Sequence, residues 1–114
     1  MPFLRIQTNQ PLTETEACAL AARASGVVAE QLGKPERYVM TSAESNPAMQ
    51  FAGSNAPLAY LELKSIGLPE SRTADLSRAL CEMLADAAGI DPDRVYIEFT
   101  DAPRKMWGWN NGTF

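Results

Sequence analysis

Phe3-Leu4-Arg5-Ile6-Gln7-Thr8, near the start of the chain, and Tyr60-Leu61-Glu62-Leu63-Lys64-Ser65, just past its middle, are the same kind of segment written twice. Both alternate apolar and polar side chains, most clearly Leu61 and Leu63 against Glu62 and Lys64, which is the period of a strand with one buried face. They are related by a shift of 57, half of the 114 residues, and the same shift lays Pro35-Glu36-Arg37-Tyr38 over Pro92-Asp93-Arg94-Val95. Between these anchors a shift one residue shorter aligns Leu20 with Leu76, Ala24 with Leu80, Val27 with Met83, Val28 with Leu84 and Gly33 with Gly89. A repeat at half the chain length reads as a tandem duplication, roughly 1–57 and 58–114, within a single domain.

Each copy reads strand, helix, strand. The opening strands are expected over 3–8 and 58–66. The first helix should begin at Thr13, because Thr13-x-x-Glu16 is a capping box that satisfies two otherwise unpaired backbone donors. Its apolar stripe is Ala17, Leu20, Ala24, Val27, Val28 and Leu32; Gly33 supplies a left-handed closing residue and Pro35 prevents continuation. The second helix carries Leu76, Leu80, Met83, Leu84 and Ala87, ends at Gly89 and is followed by Pro92. β-rich runs follow, Tyr38 to Ala43 and Val95 to Thr100.

Strand–helix–strand crossovers between parallel neighbours are almost always right-handed, so both helices land on the same side. The expected fold is therefore α+β, a four-stranded mixed sheet with two helices on one face. The other face presents Arg5, Gln7, Glu62, Lys64 and Glu98, which tolerate water. The tail carries Met106, Trp107, Trp109 and Phe114 with no helix or strand period, and such aromatics want a partner surface, so the chain is expected to oligomerise. Asn111-Gly112-Thr113 matches a glycosylation sequon but reads better as a tight turn.

Composition narrows the function. Lys+Arg 10 against Asp+Glu 14 gives a net charge of −4 with the basic residues scattered, which excludes a phosphate-backbone footprint and hence nucleic acid. No apolar run is long enough to span a membrane and no signal layout opens the chain, so a cytoplasmic protein is expected. Cys18 and Cys81 lack metal-ligand spacing and fall inside helical apolar patterns, so both are read as packed thiols in a reducing compartment, with no metal site. There is no Gly-rich phosphate loop, no G-x-S-x-G elbow and no Cys-x-x-Cys. The carboxylate pairs Glu14/Glu16 and Asp91/Asp93 suit helix capping or solvation better than catalysis.

With no histidine in the chain, acid–base chemistry near neutrality needs another group. Met1 precedes Pro2, and trimming of the initiator would leave Pro2 as a secondary amine fixed at the start of a strand. To act as a base, that amine must be shifted down. A cation about 6 Å away at an effective dielectric of about 20 contributes roughly 2.8 kcal/mol, about two pKa units, and an apolar pocket acts in the same direction. Lys34 beside a Trp and Phe pocket would suffice.

Several ordered motifs then combine. Pro2 after the initiator, Gly33-Lys34-Pro35 ahead of Tyr38, Lys64-Ser65-Ile66-Gly67, Pro92-Asp93-Arg94-Val95-Tyr96-Ile97 and Gly108-Trp109-Asn110-Asn111-Gly112-Thr113-Phe114 resemble the macrophage migration inhibitory factor family of the tautomerase superfamily, its bacterial and parasite members in particular. The resemblance spans nearly the whole chain. It implies a homotrimer with three active sites at subunit boundaries and no cofactor. Pro2 is then the catalytic base and Lys34 the cation that binds a substrate carboxylate or oxygen. Ile66 gives a backbone N–H, Tyr96 reaches in from the neighbouring subunit, and Tyr38, Trp109 and Phe114 form aromatic walls. The implied activity is keto–enol tautomerisation of phenylpyruvate-like or dopachrome-like compounds, with an aromatic α-keto acid as partner.

Departures from the pattern qualify the carry-over. Glu98 stands in the substrate-binding set where vertebrate members carry Asn, Trp107 replaces a smaller apolar residue and narrows the pocket, and Ala102 replaces a larger one. The vertebrate Cys-x-x-Cys is Leu58-Ala59-Tyr60-Leu61 here, so thiol–disulfide chemistry does not transfer. The charged pair tied to receptor mimicry falls on Leu12 and Asn46, so receptor binding is not expected, although relatives leave cells without a signal peptide. Two alternatives stand beside tautomerisation: a cytokine-like binding protein with vestigial catalysis, and a decarboxylase or dehalogenase of a small acid on the same scaffold. The latter would call for further arginines around the proline, for which Arg5 and Arg104 are the sequence's candidates.

Overall fold

In the computed structural model, which describes residues 1–114, the repeat resolves into two β-α-β units. Strand β1 (Phe3–Thr8), helix α1 (Glu14–Leu32) and strand β2 (Met40–Ser45) form the first; β3 (Ala59–Ile66), α2 (Thr73–Ala88) and β4 (Val95–Ala102) form the second. The sheet order is β2-β1-β3-β4. Within each unit the strands run parallel, and the two units join through antiparallel β1 and β3, with Phe3 opposite Lys64 and Thr8 opposite Ala59. The expected α+β arrangement, a mixed four-stranded sheet backed by two helices, is what forms.

Local chemistry sets the helix ends. Thr13 accepts from the Glu16 N–H and Glu16 reaches back to the Thr13 N–H, closing the capping box. Gly33 (φ 63°, ψ 35°) and Gly89 (φ 65°, ψ 31°) end α1 and α2 in the same left-handed conformation, which only a residue without Cβ adopts at little cost. Each cap leads into a single 3-10 turn, Glu36–Tyr38 and Pro92–Arg94, so Tyr38 lies in that turn and β2 starts at Met40, two residues later than expected.

The core lies between sheet and helices: Leu4, Ile6, Leu61 and Leu63 from the strands meet Leu20, Ala24 and Val28 of α1 and Leu76, Leu80, Met83 and Leu84 of α2. On the open face Arg5 pairs with Glu44 at 2.8 Å, Lys64 with Glu62 at 3.8 Å, and Tyr60 donates to Glu98 at 2.6 Å. No helix is long and apolar enough to cross a membrane.

Three expectations need correction. Cys18 is exposed, since it points away from the Leu20, Ala24 and Val28 stripe; only Cys81 is half-buried, and burial pushes its thiol up. Ala87 is likewise exposed, and Ala88 packs on the core instead. The tail is not irregular: β5 (Gly108–Trp109) and β6 (Gly112–Thr113) form a small hairpin. Its two-residue turn is Asn110-Asn111 (φ 51° and 64°) rather than Asn111-Gly112, the primed turn that left-handed Asn permits.

Candidate active site

The first residues of the chain are built into the sheet. Met40 of β2 donates its N–H to the Pro2 carbonyl at 2.9 Å, and the Pro2 side chain is fully buried. The amino group of Met1 donates to the Tyr38 carbonyl. Parallel pairing of β1 with β2 therefore sets the N-terminus beside the turn that holds Arg37 and Tyr38.

The tail hairpin closes the other side. Trp109 and Phe114 stack with ring centroids 5.3 Å apart, and both meet the Tyr38 ring edge-on, at 5.8 and 6.0 Å. The Phe114 N–H donates to the Trp107 carbonyl at 3.2 Å, which ties the last residue back onto the hairpin. The result is a cleft of about 230 Å³ lined by Met1, Pro2, Phe3, Tyr38, Met40, Trp107, Trp109 and Phe114. One charged side chain lines it, Arg37, and no Asp or Glu side chain does.

Lys34 follows the α1 cap and donates from Nζ to the Ile66 carbonyl at 3.0 Å, linking the end of the first helix to the end of β3. It does not line the cleft, but its charge reaches it. The Met1 ammonium is held below its ordinary range, first by burial and then by repulsion from Lys34. An ammonium has three donors, so the Ile66 contact leaves two of them for other acceptors.

The structure thus brings Pro2, Tyr38, Trp109 and Phe114 together, with Lys34 and Ile66 joined to each other and Lys34 in electrostatic reach of the N-terminus. Tyr96 and Glu98 lie elsewhere in the chain. The register places Pro2 level with Asp101 of β4, so Tyr96 sits five residues further along, about 17 Å at the strand rise. There Tyr96 packs on Phe51 at 4.6 Å beside a second apolar hollow of about 390 Å³, and Glu98 accepts from Tyr60. That hydrogen bond is the main reason the Tyr60 phenol is pushed up to about 12.

Phe3, Arg37, Val39, Met40 and Gly108 line the cleft without having been candidates, and of these only Arg37 is charged. The sequence candidates for extra cations were Arg5 and Arg104, but Arg5 is ion-paired to Glu44 on the open sheet face and neither lines the cleft. Its repeat partner gives no warning, because Arg94 occupies the equivalent turn far from the N-terminus.

A duplicated β-α-β sheet with a buried Pro2 at the head of its first strand, beside an aromatic cleft, defines the class, and the comparisons specify it. The whole chain, residues 1–114, matches the family model described as macrophage migration inhibitory factor (MIF). It is 40% identical to a macrophage migration inhibitory factor homolog of Brugia malayi and 34% identical to macrophage migration inhibitory factor of Meriones unguiculatus, in both cases over 100% of this chain and 99% of the relative. It superposes on the crystal structure of the macrophage migration inhibitory factor homologue from Prochlorococcus marinus with a TM-score of 0.91, at 43% identity and 98% coverage of each chain. The chain belongs to the macrophage migration inhibitory factor family, which is known for tautomerase activity.

Proposed function

We propose that the protein, after removal of Met1, is a homotrimeric, cofactor-independent keto–enol tautomerase of aromatic α-keto acids of the phenylpyruvate type, with Pro2 as base. The observation that carries this reading is the terminal amine in an aromatic cleft, held below its ordinary range by burial and by Lys34. A secondary amine at the buried Pro2 meets the same two influences, both of which favour its neutral, basic form.

The Pro2 nitrogen removes a proton from the carbon next to the keto group, and the C–H electron pair moves into a C=C bond as the carbonyl becomes an enolate. Lys34 Nζ and the Ile66 N–H stabilise the developing oxyanion. Pro2 then returns its proton to the oxygen, and the reverse path ketonises the enol. Tyr38, Trp109 and Phe114 hold the ring and exclude water.

Two features support a trimer. Met40 (67% exposed), Met106 (79%) and Trp109 (53%) leave apolar surface at the Pro2 end, and Tyr96 (65%) leaves it at the other. Joining two different patches makes a heterologous contact, which closes into a three-membered ring when the rotation between subunits is a third of a turn. In that ring Tyr96 and Glu98 of one subunit complete the cleft of the next, which accounts for their distance from Pro2 within one chain.

The test is ultraviolet monitoring of phenylpyruvate ketonisation by protein whose N-terminus is verified by mass spectrometry. The trimmed form turns over, while the form retaining Met1 and the Pro2→Gly variant lose at least about a hundredfold, the lower range for loss of a general base. Equal turnover by the Met1 form would remove Pro2 from the mechanism.

A further inference from the structure

Pro35-Glu36-Arg37-Tyr38 and Pro92-Asp93-Arg94-Val95 are equivalent turns of the two halves, each a single 3-10 turn leading toward a strand. Their arginines end in opposite conditions. Arg94 uses four of its five donors: its guanidinium donates to the carbonyls of Phe51 (2.8 Å), Ser54 (3.1 Å), Ala56 (3.0 Å) and Pro57 (3.3 Å), and lies 5.1 Å from the Phe51 ring. Arg37 makes no ion pair and no side-chain hydrogen bond. Its guanidinium lies 4.7 Å over the Tyr38 ring, and the residue lines the Pro2 cleft, where no Asp or Glu side chain offsets its charge.

An arginine resting on an aromatic face keeps its fixed fork of N–H donors free for a planar anion. An α-keto acid of the proposed type has one carboxylate, and Lys34 already serves the carboxylate and keto end of the substrate. With that end assigned to Lys34, whose charge reaches the cleft from outside its lining, Arg37, the one charged side chain lining it, is left without a partner on a monoanionic substrate.

We infer that Arg37 is a specificity-determining residue that binds a second anionic group on the substrate, so that the cleft favours dianionic aromatic α-keto acids bearing a ring carboxylate. This rests on the tautomerase reading for the roles of Pro2 and Lys34. The fork matches a carboxylate in two parallel hydrogen bonds, a geometry that a lysine at the same place cannot reproduce.

Trimmed wild type, Arg37→Gln and Arg37→Lys are compared on phenylpyruvate and on para-carboxyphenylpyruvate. In wild type the dianion has a kcat/KM about tenfold higher, equivalent to about 1.4 kcal/mol, carried mainly by KM and narrowed by salt. Arg37→Gln brings the ratio of the two substrates close to one, and Arg37→Lys falls between. A ratio unchanged in Arg37→Gln overturns the inference. If wild type turns over neither compound, the tautomerase reading has failed separately, and the same two ligands are titrated against the fluorescence of Trp107 and Trp109. Tighter binding of the dianion, lost in Arg37→Gln, then upholds Arg37 as the anion anchor; equal binding of both ligands overturns it.

Discussion

Tyr60 and Glu98 show how much one contact changes a side chain's chemistry. The phenol donates to the carboxylate at 2.6 Å, and removing its proton would place two negative charges side by side, so its titration moves up to about 12. The folded value is raised, so the hydrogen bond's stabilisation is complete below the unfolded phenol value and is lost as pH rises through about 12. Spectrophotometric alkaline titration should find one tyrosine ionising near that value, and Glu98→Gln should bring it back toward 10.0, its unperturbed value. A tyrosine titration unchanged by Glu98→Gln would show that the pair does not form in solution. Because Glu98 is fixed by Tyr60, an anionic oxygen sits at a definite place on β4, where the vertebrate pattern has a neutral amide.

At the scale of elements, the features legible in the sequence were those with local causes. The β1 alternation, the Thr13 and Glu16 capping box and the closing glycines Gly33 and Gly89 each act within a few residues, and each formed where expected. The tail hairpin was not legible because its strands are two residues long, too short for any period, and its turn depends on two left-handed asparagines. The cleft was only partly legible. Pro2, Tyr38, Trp109 and Phe114 could be proposed by motif, but Arg37 enters through the parallel pairing of β1 with β2, a long-range event that its neighbours in sequence do not encode. Arg94 is the element-scale counterpart: four carbonyls between Phe51 and Pro57 converge on it and hold the segment that supports Tyr96. Arg94→Ala should destabilise the fold by about 2 kcal/mol, within the usual range for lost charged hydrogen bonds. Chemical denaturation measures this, and a change below about 0.5 kcal/mol would show that the segment holds itself.

For the whole molecule, the two halves repeat one architecture but carry different parts of the proposed site. The first half supplies the terminal proline, Lys34 and Tyr38. The second supplies the tail walls and, about 17 and about 10 Å along the sheet from the level of Pro2, Tyr96 and Glu98. If subunits join head to tail, disruption at one end should be felt at the other. Sedimentation analysis should give a trimer for wild type, and Tyr96→Glu should shift it toward monomer while lowering phenylpyruvate turnover in parallel. A monomeric wild type with full turnover would rule out a composite site.

The proposed chemistry depends on the protonation of a single nitrogen, and nitrogen-15 NMR of trimmed protein labelled at proline follows it directly across pH. The prediction is a midpoint well below that of a free secondary amine, moving upward in Lys34→Ala as the repelling charge is removed. A Pro2 nitrogen that remains protonated well above neutrality, with or without Lys34, would contradict it.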